Sequence, residues 1–285
     1  MFDTVVKSVN GILWGEGQVL IYILLFAGIW FSVRLKAIQI LKFKHMFSLL
    51  KGSSKCKKGD ISSFQALCTG LCARVGTGNL AGVAVAISLG GSGAIFWMWV
   101  IAILGMATGF AESVLGQVYK VRDSQGEFRG GPAYYIQQGL GNRAFAITFA
   151  LCLFLGYGFT FSAMQTNTIT DALNFAFEIP TFYSGLVITV LAGSIIVGGF
   201  KAIARFAECV VPVMGIVFVL VAVIITLINF TQVPAMLKDI FLSAFGLQEA
   251  GAGAMGAAIK NGIQRGLYSN EAGAGSVPHA SASAS

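Results

Sequence analysis

The chain has 285 residues, 56% of them hydrophobic and only 11% charged, and its mean hydropathy of +0.78 is too high for a water-soluble domain of that length. Its formal charge of +7 sits in short basic loops beside apolar runs, the pattern of membrane orientation and not of nucleic-acid binding. The cysteines Cys56, Cys68, Cys72, Cys152 and Cys209 form no Cys-x-x-Cys pair, which argues against a disulfide framework or a zinc site, and no His, Asp or Cys grouping offers the nucleophile and base of a membrane enzyme.

The first apolar run, 19–33, has Asp3 and Glu16 before it and Arg34 and Lys36 after it, the reverse of a signal peptide's charged start. It reads as a retained span (17–33) with its N-terminus outside. Residues 34–60 carry Arg34, Lys36, Lys42, Lys44, Lys51, Lys55, Lys57 and Lys58, which assigns them to the cytoplasm. Ile38, Leu41, Phe43, Met46, Phe47 and Leu50 interleave with those lysines, as in an amphipathic helix on the inner membrane surface.

Further spans are predicted at 63–88, 94–119, 144–173, 182–199, 206–230 and 259–285, each near the ~20 residues that cross the hydrocarbon. Alternation from the basic loop puts 120–143, with Lys120, Arg122, Arg129 and Arg143, and 201–205 inside, and 174–181, with Glu178, outside. Every loop then agrees with the charge rule. Residues 61–230 form a first five-helix repeat, 231–258 an extracellular segment whose Pro234, Met236, Leu237, Ile240, Phe241 and Phe245 suggest a helix across the outer face, and 259–285 the start of a second repeat.

The span 63–88 is interrupted by Gly76, Thr77, Gly78 and Asn79. Glycine in a helix interior costs roughly 0.5–1 kcal/mol, so the stretch invites unwinding, and unwound backbone inside a bilayer is tolerated only where it lines a cavity or binds something. Asn79-Leu-Ala-Gly82 is echoed by Asn270-Glu-Ala-Gly273, with Arg74 and Arg265 each five residues upstream of the Asn. The two breaks lie five spans apart and are crossed in opposite senses, the arrangement of an inverted-repeat secondary transporter with its site at the membrane midplane.

Free N–H groups at Thr77 and Gly78, where a half-helix begins, suit a carboxylate. Free carbonyls at Cys72, Arg74 and Val75 and around Tyr268 suit an ammonium group or Na⁺, with Asn79 adding a neutral oxygen. Gly76 to Ala81 also fits the dinucleotide fingerprint G-x-G-x-x-A, but Trp99, Val100 and Ile101 stand where its acidic residue belongs, so that reading fails. Phe96, Trp97 and Trp99 read as interfacial anchors or packing.

The chain resembles the alanine or glycine:cation symporter family (sodium:alanine symporters) through Arg74-Val-Gly-Thr-Gly-Asn-Leu-Ala-Gly82, Phe96-Trp-Met-Trp99, Gly105-Met-Ala107, Phe128-Arg-Gly-Gly-Pro-Ala-Tyr-Tyr135 and Ser269-Asn-Glu-Ala-Gly-Ala-Gly-Ser276. That family is similar in fold to the bacterial leucine transporter. The resemblance implies an all-α integral membrane protein of the inner (plasma) membrane, built as an inverted repeat with discontinuous helices, that imports alanine or glycine with Na⁺ and needs no other cofactor or metal. It implies the substrate carboxylate at Thr77 and Gly78, the amino end at Tyr268 and Ser269, and Gln165 reaching the substrate. The cation falls to Asn79, Ser269 and the carbonyls of Cys72, Arg74 and Val75. Family members carry a second repeat of five spans, so a chain ending at Ser285 reads as truncated, its first repeat complete and its second cut off. The choice among alanine, glycine and serine, and of Na⁺ over H⁺, is open from sequence alone, and the alternative from another class is an ion channel or other membrane protein with a polar pathway.

Overall fold

The computed structural model describes residues 2–15, 17–54, 56, 60–124, 126–247 and 251–285. Glu16, Lys55, Lys57 and Lys58, used above for orientation, and the side chain of Thr77 lie outside the described residues. The elements in order are α1 (Phe2–Leu13), α2 (Val19–Arg34), α3 (Ile38–Leu41), α4 (Phe43–Leu50), α5 (Ser63–Arg74), α6 (Thr77–Gly90), α7 (Gly93–Val118), a hairpin of β1 (Val121–Arg122) and β2 (Phe128–Arg129), α8 (Pro132–Gly139), α9 (Arg143–Leu155), a π-helical turn (Gly156–Phe161), α10 (Ser162–Phe177), α11 (Thr181–Val197), α12 (Gly199–Ile228), α13 (Val233–Ala244), α14 (Gly251–Asn270) and α15 (Val277–Ala282).

Among the described residues four stretches, Ser63–Gly90, Gly93–Val118, Arg143–Phe177 and Gly199–Ile228, are long and apolar enough to cross a membrane, and α2 and α11 are shorter apolar helices. On α12, Val213, Ile216, Val217, Leu220 and Ile224 are all more than half exposed. A helix with its backbone satisfied internally can turn such side chains to lipid. α12 begins at Gly199, not at 206, because Lys201 and Arg205 lie in its first turns. Long cationic side chains at a helix end can extend toward the membrane surface while their stems stay with the apolar helix. α14 likewise begins at 251 and not 259.

The chain divides into two compact units, one of Met1–Ser48, Gly78–Ala111 and Phe218–Ala274, the other of Leu49–Thr77, Glu112–Val217 and Gly275–Ser285. The first is centred on Ile21 of α2, Ile101 of α7, and Ile263 and Leu267 of α14. α14 meets α7 through small residues. A Cβ on Gly262 would lie 2.5 Å from the Ala94 carbonyl oxygen, and one on Gly266 would lie 3.1 Å from Ile101. Residues of that size four apart let two membrane helices approach closely. α13 seats on the start of α7, where the Trp97 indole donates to the Ala244 carbonyl at 3.2 Å and Phe96 packs on Phe241 and Phe245. The aromatic motif around 96–97 is therefore packing.

In the second unit α5 starts with a capping box: Ser62 Oγ accepts from the Gln65 N–H at 3.1 Å and Gln65 Oε1 accepts from the Ser62 N–H at 3.0 Å. The same Gln65 amide donates to Glu208 Oε2 of α12 at 2.8 Å. Beneath it Cys68 packs on Ala207 and Val211. α15 lies along α5, and Ile61 and Ala284 form a parallel bridge. The fold is all-α apart from one short hairpin at 121–129. Its turn is held by the Glu127 N–H on Asp123 Oδ1 at 2.9 Å and by Gly126 at φ 78°, and two-residue strands are too short to leave a periodic signal. Across it, Lys120 and Arg122 both sit over the Phe128 ring, at 4.1 and 4.3 Å. Burial and then the neighbouring Arg122 charge lower the Lys120 pKa, while Asp60 opposes them.

Loss of the cap in Ser62→Ala should lower stability by about 0.5–2 kcal/mol, and Gln65→Ala by more because it also releases Glu208. Melting temperatures of the purified proteins check this. A Gln65→Ala protein melting with the parent would show that the tie between α5 and α12 contributes nothing.

Candidate functional site

α5 ends at Arg74 and α6 begins at Thr77. The Val75 N–H still reaches the Leu71 carbonyl at 2.8 Å, but the Gly76 N–H turns to the Arg74 carbonyl at 3.1 Å instead of reaching four residues back to Cys72. The departure from helical geometry falls on Val75, with φ −85° and ψ 77°. α6 then opens with Thr77, Gly78, Asn79 and Leu80, the positions whose N–H groups have no acceptor inside their own helix. They carry the positive end of its dipole.

From the sequence, Gly76 and Gly78 are expected for backbone freedom, yet neither has a positive φ. Space is what they supply. A Cβ on Gly76 would stand 2.6 Å from Gln165 Nε2, and one on Gly78 would stand 3.1 Å from Cε1 of the Tyr268 ring.

The predicted site residues thus fall into two groups, each within one unit. In the first unit the start of α6 meets the end of α14, with Gly78 against Tyr268 and Ser269 Oγ donating to Asn79 Oδ1. In the second, Gly76 meets Gln165 of α10, and Cys72, Arg74 and Val75 lie at the end of α5. A cavity of about 290 Å³ follows α5 and is lined by Gly70, Leu71, Arg74, Ser113, Gln117 and Ser281. A larger one, about 660 Å³, is lined by Asp60, Glu127, Arg129, Tyr134, Lys201 and His279 among others, and none of the predicted site residues borders it.

The second break runs from the end of α14 at Asn270 to the start of α15 at Val277. Here the backbone does need residues that tolerate left-handed conformations, since Gly273 and Gly275 have φ 91° and 85° and the buried Glu271 has φ 50°. Sequence reasoning assigned no role to Asn270 or Gly105. Asn270 nevertheless puts its amide on Gly105 of α7, where any Cβ would collide with it, and its buried Nδ2 has no hydrogen-bond partner among the described residues. The signal was present as a glycine inside an apolar span, but nothing local names its neighbour. Among the described residues no three His, Cys, Asp or Glu side chains are grouped to hold a metal, and the second break carries a single carboxylate, the buried Glu271.

The sodium:alanine symporter family model matches residues 1–285. The uncharacterized transporter YaaJ of Escherichia coli is 47% identical over 280 residues, covering 97% of this chain and 58% of that protein. The probable sodium/glutamine symporter GlnT of Bacillus subtilis is 45% identical over all of this chain and 59% of its own length. The sodium/alanine symporter AgcS of Methanococcus maripaludis is 40% identical over 99% of this chain and 63% of its own. The chain spans less than two thirds of the length of these relatives.

Ser269→Ala removes the donor to Asn79 and should lower stability by about 1 kcal/mol, whereas Tyr268→Phe keeps the ring that Gly78 accommodates and should melt with the parent. A reversed order in thermal unfolding would mean that the phenol oxygen, not the Ser269 hydroxyl, holds these two helices together.

Proposed function

The chain belongs to the sodium:alanine symporter family, and from that premise we propose that it works in Na⁺-coupled import of small neutral amino acids by alternating access. The helix break between α5 and α6 carries this reading. The first N–H groups of α6 have no acceptor inside their own helix, and Gly78 among them has no side chain to cover them and lies against the Tyr268 ring. A zwitterion supplies what such a break lacks. Its carboxylate takes the amides of Thr77 and Gly78, its ammonium group lies toward Tyr268 and Ser269, and Gln165 offers a further polar partner. Na⁺ takes the Asn79 oxygen and carbonyls at Cys72, Arg74, Val75 and Ser269.

In this reading the two interrupted helices are the paired elements of an inverted repeat similar to that of the bacterial leucine transporter. The chain crosses the inner (plasma) membrane with its N-terminus outside and 34–60 in the cytoplasm, where the basic residues of 34–60, 120–143 and 201–205 follow the positive-inside rule. Alanine and glycine are the proposed substrates. The relatives' names span alanine and glutamine, so glutamine is the competitor to test.

Uptake of labelled alanine into proteoliposomes should fall to background when Na⁺ is replaced by choline, and unlabelled alanine or glycine should compete better than glutamine. Uptake that survives choline but is abolished by a protonophore would assign coupling to H⁺, and flux without counterflow would mark a channel.

Gly78→Ala separates the site from a packing seam. A methyl group there needs the Tyr268 ring to give by a few tenths of an ångström and covers the amides, so the variant should insert and melt normally while alanine binding is lost. Normal affinity in a protein that melts lower would assign Gly78 to helix packing alone. Tyr268→Phe should retain alanine uptake.

A further inference from the structure

α9, the π turn and α10 form one continuous rod, Arg143–Phe177, and the wide turn Gly156–Phe161 lies four residues before Gln165. A π turn carries one residue more than the α-helix it interrupts and recurs at functional sites. Two contacts here span five residues: Ser162 Oγ donates to the Tyr157 carbonyl at 2.9 Å, and the Phe154 and Phe159 rings meet edge to face at 5.6 Å. Elsewhere on the same rod, Thr148, Thr166 and Thr168 hydroxyls reach back four, the ordinary α spacing.

Packing does not account for the glycines of the turn. A Cβ on Gly156 would meet nothing within 4 Å, and one on Gly158 would make only ordinary contact with Phe154, at 3.8 Å. Glycine's low helix propensity is what makes the widening cheap.

One extra residue turns everything after it by about 100° around the helix axis and ~1.5 Å along it. The two halves of the rod cannot absorb this freely, because α9 packs on α8 and α10 on α11. We propose that this π turn, with Gly156, Gly158 and Ser162, is the positioning element that sets the azimuth of Gln165 and brings its amide onto Gly76. This rests on the assignment of Gln165 to the substrate site. Without the extra residue Gln165 points off that face.

The test measures the alanine dissociation constant of the purified full chain, with a melting curve for each protein. Gln165→Ala should weaken affinity by about 5- to 150-fold, the loss of one polar partner. Deletion of Gly158 should weaken it by the same factor, and the combination no further. Deletion of Gly158 with one alanine inserted after Phe161 restores the residue count and should recover affinity to within about threefold of the parent, a rescue that a purely local role for Gly158 would not give. Unchanged affinity in Gln165→Ala removes Gln165 from the site and overturns this inference together with the assignment beneath it. A loss in Gln165→Ala with none on deletion of Gly158, additive losses, or a folded reinsertion variant that stays weak overturns this inference alone. If the deletion protein shows no melting transition, Ser162→Ala decides. About threefold weaker binding is expected, and unchanged affinity overturns the proposal.

Discussion

A backbone N–H or C=O in hydrocarbon has no water to turn to, and each one left unpaired costs several kcal/mol. α12 meets that demand along most of its thirty residues, Pro212 taking one donor out of the ladder. The chain departs from it at Val75–Gly76 and at 271–276. These two places need something besides the helix ladder, and polar side chains stand at both: Gln165 at the first, Asn79, Ser269 and Tyr268 around the ends of α6 and α14, and the buried Glu271 inside the second.

The two breaks are made differently. At the second, backbone conformation is the issue, with Gly273 and Gly275 in left-handed geometry that a side chain would strain. At the first, all dihedrals lie where any residue could follow, and glycine is required by what stands opposite. The second kind of glycine encodes a tertiary contact. Its replacement by alanine acts through the Gln165 amide or the Tyr268 ring and not through the chain's own flexibility.

That difference also marks how far the sequence is legible. Long apolar runs and the placement of lysines and arginines reveal α7, α10–α12 and their loops, because both signals are local and large. The breaks are legible because Gly76, Thr77, Gly78 and Asn79 contrast with the apolar residues around them. The start of α14 is not, since 251–258 is a run of glycine, alanine and one methionine that carries no helical period of its own. The π turn is invisible for a stricter reason. Gly156-Tyr-Gly-Phe-Thr-Phe161 reads as ordinary membrane helix, and the extra residue exists only as a difference in register between two halves held by different partners. The partners of Gly76, Gly78 and Gly105 lie 89, 190 and 165 positions away, respectively, at Gln165, Tyr268 and Asn270, beyond any local pattern.

The position of the first break is set from the far end of its own helix. α5 is twelve residues long, a rod of about 18 Å, and its N-terminus is held by the Ser62–Gln65 box, by Gln65 on Glu208, and by the Ile61–Ala284 bridge. Glu208 is a carboxylate on an apolar helix, where a charge left without partners would cost at least ~2.5 kcal/mol, so the Gln65 amide stabilises it as much as it stabilises the cap. One hydrogen bond thereby satisfies a carboxylate on α12 and fixes the rod that ends at Val75. A helix so anchored has little freedom to slide, and the departure at Val75 falls where α5 runs out from that anchor.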